Sequence, residues 1–332
     1  MTNMTSEQLQ NILTFLKSDY EYYTKDFLKI ATKEGGVPVP FIMNKSQAYL
    51  HYKLEDLKKQ TGCVRAIVLK GRQQGISTYI TARFFHQVSL NPGKQAMVLA
   101  HTTDSTSYLF QMIKRYFDKL PEDFQPVLRK SNAKEIVFEE LESCIRTATA
   151  GGIEIGRGST NHMLHMSEFA FYPGKPETIF ASVLQSVPSK NSEIIVESTA
   201  NGVNHFKKIW DDAVSGASNF TAIFIPWYWE DGYTIEIPET FALEDEEIQL
   251  LETYGNDGLT KEHLAWRRFK IKELGELQFR QEYPLNANEA FITSNDSFIS
   301  SESVQRAATN LHVYESETAP LMPFSKIEVL LA

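Results

Sequence analysis

The stretch VRAIVLKGRQQGIST, residues 64–78, decides the fold. Its first half is a run of β-branched and apolar residues bounded by turn residues, which reads as a strand buried on both faces. Gly71 and Gly75 then permit a tight strand-to-helix turn, and Ser77 and Thr78 open a helical pattern running to Leu90. This order of parts meets the physical needs of phosphate binding. Backbone N–H groups converge where the helix starts, glycines let the chain approach an anion, and a hydroxyl can ligate a divalent cation. The spacing departs at two places from the ordinary phosphate-loop pattern, G-x-x-x-x-G-K-[ST]. Lys70 stands where the first glycine belongs, and Ile76 where the lysine belongs. A cation for a triphosphate must come from elsewhere in the loop, Arg72 first and Lys70 second. Taken alone, the stretch leaves a plain strand–turn–helix connection as the more frequent reading.

On either side the same alternation recurs. Strands are predicted at residues 95–102, 134–140, 143–150, 162–168, 192–199 and 220–227, and helices at about 104–119, 176–187 and 204–215. A pair of helices is predicted over 6–33 and another helix over 46–61. Strands alternating with helices imply βαβ units and a largely parallel sheet. After Glu230 the chain turns acidic and turn-rich, then continues as a charged, helix-like stretch over 261–283. The expected organisation is therefore a core over 1–230, a small lid or hinge subdomain over 231–295, and a linker or the start of a further domain over 296–332.

Composition narrows the function. With 42% hydrophobic and 23% charged residues, the 332-residue chain has the makeup of a globular protein. A net charge of -9 excludes a surface that coats nucleic acid over its whole area, so any DNA contact is local. Cys63 and Cys144 are too few for a disulfide framework and lack zinc-site spacing, which points to a reducing compartment. The longest apolar run, 220–229, is about half a membrane span and contains Pro226, so no membrane partner is expected.

Downstream, HMLHMSE (162–168) is an apolar strand ending in Glu168, where a carboxylate can orient or deprotonate an attacking water. Ser167 occupies the place of the usual Mg²⁺-associated aspartate. SEIIVESTANGVNHFKKIW (192–210) sets a strand, a polar turn and an amphipathic helix in a row. A hydroxyl-rich strand end beside a phosphate loop can sense a γ-phosphate; a plain turn closed by Asn201 and Gly202 is the alternative.

Taken together and in order, these segments resemble the large terminase subunits of tailed bacteriophages over about residues 40–291. The segments are RQQGIST (72–78), Arg157 and Gly158 shortly before MLHMSEFAF (163–171), STANG (198–202) with Asn204, His205, Phe206 and Trp210, and FRQEYPLNANEAF (279–291). The resemblance implies an α/β, RecA-like (ASCE) P-loop NTPase with a mainly parallel central sheet flanked by helices, plus a small lid or hinge subdomain. It implies ATP hydrolysis driving double-stranded viral DNA into a procapsid, with ATP and Mg²⁺ as cofactors. Portal protein and the small terminase subunit become expected partners, assembly as a homo-oligomer on the portal the working state, and the host cytoplasm the location.

Carried over position by position, the resemblance places ATP contacts at Gln47, Gly71, Arg72, Gln73, Gln74, Gly75, Ile76, Ser77 and Thr78, with Gln47 at the adenine. Glu168, Arg72 and Arg157 become the catalytic side chains, although Arg157 reads equally well as a structural ion-pair partner. Ser77 and Glu168 become metal contacts, and Ser198, Thr199, Ala200, Asn201 and Gly202 the motif coupling hydrolysis to movement. The chain departs from the family at Ser167 and in lacking an arginine within FAFYPGK (169–175), just after Glu168, where Lys175 is the only cation. The family's nuclease domain has no counterpart in the residues after 291, so no DNA cleavage is expected of this chain. The rival expectations are a catalytically weak docking module for portal or small terminase, and another P-loop nucleic-acid ATPase such as a helicase.

Overall fold

A computed structural model of the chain describes residues 6–151 and 160–291. The expected tail segment, 296–332, lies outside them. The chain opens with helices α1 (Ser6–Ser18) and α2 (Tyr20–Phe27), a short antiparallel ribbon of β1 (Lys29–Ile30) and β2 (Val39–Pro40), and α3 (Lys45–Thr61). The alternating core follows as β3 (Val64–Lys70), α4 (Ile76–Leu90), β4 (Gln95–Ala100), α5 (Thr103–Asp118), β5 (Leu128–Ser131), β6 (Glu135–Phe138), β7 (Cys144–Thr149) and β8 (Met163–Ser167). It continues through α6 (Pro176–Leu184), β9 (Glu193–Ser198), α7 (His205–Val214) and β10 (Thr221–Ile225). Four more helices close the described chain: α8 (Asp245–Tyr254), α9 (Lys261–Leu274), α10 (Glu276–Glu282) and α11 (Ala287–Ala290).

Eight strands form one sheet in the order β10-β3-β9-β8-β4-β7-β6-β5. The six strands from β10 to β7 run parallel, while β6 and β5 extend one edge as antiparallel neighbours. The expected mainly parallel sheet is therefore present, with β5 as an unanticipated edge strand. One consequence of the order governs the site. β9 lies between β3 and β8, so the C-terminal ends of these three strands sit side by side, with Leu69 opposite Ser198 and Ser167 opposite Glu197. In open parallel sheets, ligands gather at that end of the strands.

The strands bury both faces because successive side chains point to opposite sides. Ala66, Val68 and Ile195 face α3, α4 and α5, with α1 and α2 packed outside α4. Ile67, Leu69, Leu164, Met166, Ile194 and Val196 face the other way, against Val183, Phe206, Ile209 and Trp210. A third cluster gathers aromatic residues beyond β10: Trp227 stacks on Trp266 at 5.1 Å between ring centroids, and Tyr233 on Trp266 at 4.5 Å.

Past residue 230 the chain is more regular than its composition suggests. The acidic stretch contains α8, whose first turn carries Asp245, Glu246 and Glu247, and carboxylates there suit the positive end of a helix dipole. The long helical stretch of 261–283 is divided into α9 and α10 by Gly275, which takes φ 80°. Among the described residues no helix is long and apolar enough to cross a membrane.

Candidate active site

The loop between β3 and α4 is shaped by two glycines with little room for anything else. Gly75 caps α4 at φ 72°, and a Cβ there would lie 2.5 Å from Gln47 Nε2. A Cβ on Gly71 would meet Gln74 Oε1 at 3.0 Å and the Trp227 backbone at 3.1 Å. Gln73 also takes a positive φ of 53°, uncommon for a non-glycine residue. Gln74 ties the loop down by donating to the Pro226 carbonyl at 2.7 Å and to Ser46 Oγ at 3.3 Å. Gln47, expected at an adenine, is buried beneath the loop. Its Oε1 accepts from Asn44 N at 3.0 Å in the cap of α3, and its Nε2 donates to the Gly75 carbonyl at 2.8 Å.

The position that the ordinary motif reserves for lysine holds Ile76, only 1% exposed in the apolar core. No side chain caps α4, so the N–H groups of Ile76, Ser77 and Thr78 in its first turn remain available to an anion. The Thr78 hydroxyl is turned toward Met112 Sδ, 3.8 Å away.

The two candidate cations sit in different surroundings. Lys70, with 5% of its side chain exposed, places Nζ 2.8 Å from Glu168 Oε1 and 3.4 Å from Glu197 Oε2. Burial alone would lower its ammonium pKa, but the two carboxylates outweigh this and raise it above the usual lysine range. Arg72 has 56% of its side chain exposed and pairs with Glu282 Oε2 at 3.6 Å. Its backbone is held from the aromatic cluster's side: the Arg72 N–H donates to the Glu282 carbonyl at 2.9 Å, and Tyr233 Oη donates to the Arg72 carbonyl at 2.7 Å. Sequence ranks Arg72 ahead of Lys70, whereas the cation nearer the strand-end carboxylates is Lys70.

Glu168 ends β8 in the left-handed region at φ 52°, a conformation that costs an ordinary side chain energy and tends to persist at functional sites. Its Oε2 accepts from Ser198 Oγ at 3.3 Å and from the Thr199 N–H at 3.4 Å. The rest of the expected coupling turn grips the segment that follows Glu168. Ser198 Oγ accepts from Ala170 N at 3.1 Å, Asn201 Nδ2 donates to the Ala170 carbonyl at 3.1 Å, Ala200 is buried in the second core, and Gly202 takes φ 62°. Arg157 lies outside the described residues.

One residue at the centre of the site was not anticipated. Glu197 is fully buried, and its Oε1 accepts from Ser77 Oγ at 2.6 Å and Ser167 Oγ at 2.7 Å, with His165 Nε2 at 3.3 Å. Its Oε2 has Lys70 as an ion-pair partner but makes no hydrogen bond. Burial would raise its carboxyl pKa; Lys70 first, then His165 and Ser77, hold it below the usual carboxylate range instead. A sequence signal did exist. In EIIVES (193–198) the period-2 pattern puts Glu193 and Glu197 on one face of an otherwise apolar buried strand, and buried carboxylates require partners. Among the described residues no group of three or more His, Cys, Asp or Glu could hold a metal by itself. A nucleotide-borne Mg²⁺ needs less, one or two protein oxygens completing a shell of phosphates and waters, and Ser77 with its carboxylate neighbour fits that demand.

Residues 67–265 match the family described as "Terminase large subunit, T4likevirus-type, N-terminal". Among solved structures, the HK97 bacteriophage large terminase aligns with a TM-score of 0.55 at 16% identity, over 81% of this chain and 54% of that one. A mutant of the Thermus phage P74-26 large terminase ATPase domain aligns with a TM-score of 0.50 at 14% identity, over 73% of this chain and 92% of that one. At these identities the likeness is one of fold, and the fold is the RecA-like α/β arrangement. The chain spans about half the length of the HK97 protein.

Proposed function

The chain belongs to the terminase large-subunit family, and from that premise we propose that it hydrolyses ATP at the loop of residues 71–78 and uses the hydrolysis to move double-stranded viral DNA into a procapsid. The observation that carries this reading is the meeting of Glu168 with both the end of the loop strand, through Lys70, and the turn at Ser198 and Thr199.

In the proposed mechanism the first-turn N–H groups of Ile76, Ser77 and Thr78 take the phosphates, framed by Gly71, Arg72, Gln73, Gln74 and Gly75. Gln47, the proposed adenine contact, also braces the loop through the Gly75 carbonyl. Ser77 and Glu168 are the proposed Mg²⁺ contacts; when bound, Mg²⁺ neutralises charge on the β- and γ-phosphate oxygens. Glu168 orients the attacking water and accepts its proton, and Lys70, at 2.8 Å, holds that carboxylate in place. Arg72 and Arg157 are the proposed stabilisers of charge on the γ-phosphate. Because Glu282 and Tyr233 hold the Arg72 backbone, a displaced loop pulls on residues 231–295, the proposed lid, while the turn of residues 198–202 registers the state of Glu168. The proposed partners are double-stranded DNA, portal protein, small terminase subunit and further copies of this chain, in the host cytoplasm.

ATP turnover of the wild type against Glu168→Gln and Arg72→Ala, with DNA and portal protein present, tests the reading. No turnover by the wild type under those conditions sinks it. That outcome would favour a docking module without hydrolysis, for which the buried Ile76 at the lysine position speaks.

A further inference from the structure

We propose that Glu197, on β9, is the carboxylate that fixes Ser77 and its nucleotide-bound Mg²⁺, a task that an aspartate at the end of β8 would otherwise perform. The inference rests on the ATP-binding reading above and deepens it.

Ser167 stands at the β8 position just before Glu168 and offers a hydroxyl in place of a carboxylate. Glu197 is its register partner on the adjacent strand, and the Ser167 hydroxyl donates to Glu197 Oε1 at 2.7 Å. The missing negative charge is thus supplied from one strand over, on a side chain one methylene longer than aspartate. The insertion of β9 between β3 and β8 brings that side chain beside the loop.

The bond to Ser77 gives the carboxylate its role. Ser77 Oγ donates its proton to Glu197 Oε1 at 2.6 Å, which leaves the hydroxyl lone pairs to a cation and makes the oxygen a stronger donor to it. Three donors hold Oε1, while the fully buried Oε2 makes no hydrogen bond and has only the Lys70 ammonium, 3.4 Å away. The hydrogen bonds of Glu168, the other proposed metal contact, run to Lys70, Ser198 and Thr199, so the holding of Ser77 falls to Glu197.

The test measures binding, so it does not depend on turnover. ATP affinity of the full chain is determined by calorimetry in Mg²⁺ and in EDTA, and Mn²⁺ bound with a non-hydrolysable ATP analogue is followed by electron paramagnetic resonance. The wild type is expected to bind ATP more tightly with metal. In Glu197→Gln the gain in affinity on adding metal, the ratio of affinity in Mg²⁺ to that in EDTA, should fall about 10- to 100-fold, as for other residues that orient a metal ligand. Adding Ser167→Asp to Glu197→Gln returns the carboxylate to β8 and should restore the Mn²⁺ signal. Glu197→Asp keeps the charge, serves where the glutamine variant unfolds, and should weaken Mn²⁺ binding. Metal-dependent binding unchanged in folded Glu197→Gln or Glu197→Asp overturns this inference and leaves the ATPase reading standing. A wild type that binds no nucleotide with or without metal overturns both.

Discussion

Glu193 and Glu197 lie on one strand, on one face, and both are buried, yet their surroundings differ. Glu193 is saturated: Arg83 donates to it through Nε at 2.7 Å and Nη2 at 3.0 Å, and Lys58 through Nζ at 3.0 Å. Burial by itself would raise its carboxyl pKa, but Arg83 and then Lys58 hold it at about 2. Glu197, near the opposite end of the strand, takes three hydrogen bonds on Oε1 and faces the Lys70 ammonium, 3.4 Å away, with Oε2. The first carboxylate belongs to the scaffold, and the second lies beside the loop proposed to take the nucleotide. In open parallel sheets, ligands gather at the carboxyl ends of the strands, so the same residue type joins the frame at one end and meets the loop between β3 and α4 at the other.

The most severe way to break this comparison is Glu193→Ala. It leaves the buried Arg83 with Glu55 as an ion-pair partner and Tyr79 Oη as an acceptor, and removing one partner of a buried ion pair costs about 3 kcal/mol or more. Chemical denaturation should register that loss, and a change below about 1 kcal/mol would place Glu193 outside the scaffold. Next comes Glu168→Gln, which should lower ATP turnover at least about 100-fold while moving the unfolding midpoint little. A parallel loss of stability would make Glu168 a frame residue as well.

A third effect separates the two ends by pH. His51 and His86 pack under α1 and α2, and burial lowers both to about 4. The unfolded chain takes up these protons near pH 6.5 and the folded one only near 4, so stability falls as pH drops through that window, by about 1.4 kcal/mol per unit for each group. Glu193, whose folded value is depressed, loses its contribution only as pH falls from the ordinary carboxylate range toward about 2. Urea unfolding at pH 7 and pH 5 should therefore show a loss that His86→Gln reduces, and identical curves would remove the histidines from this account. The smallest stability effect belongs to Arg72→Ala. Its exposed ion pair is worth under about 1 kcal/mol, so turnover should fall while the unfolding midpoint holds.

Local sequence determined a good deal of this. The apolar run of Val64–Lys70, the glycines at 71 and 75, and the hydroxyls at 77 and 78 mark strand, turn and helix start through their own steric and hydrogen-bonding preferences. Glu168 is visible as a carboxylate closing an apolar strand. The core strands fall within a residue or two of their expected ends because a period of two is a local property. The break at Gly275 and the helix α8 were harder to read, since capping and aromatic packing overrode a polar composition.

What only the tertiary structure decided is the order of the strands. No local pattern says that β9 inserts between β3 and β8, because strand order reflects contacts between distant segments. That insertion brings Glu197 to Ser77, 120 residues away, seats Lys70 between two carboxylates, and sets Arg72 at the rim. The types of groups in the site were written along the chain; which of them share a proton, a charge or a cation depended on which strands came to lie side by side.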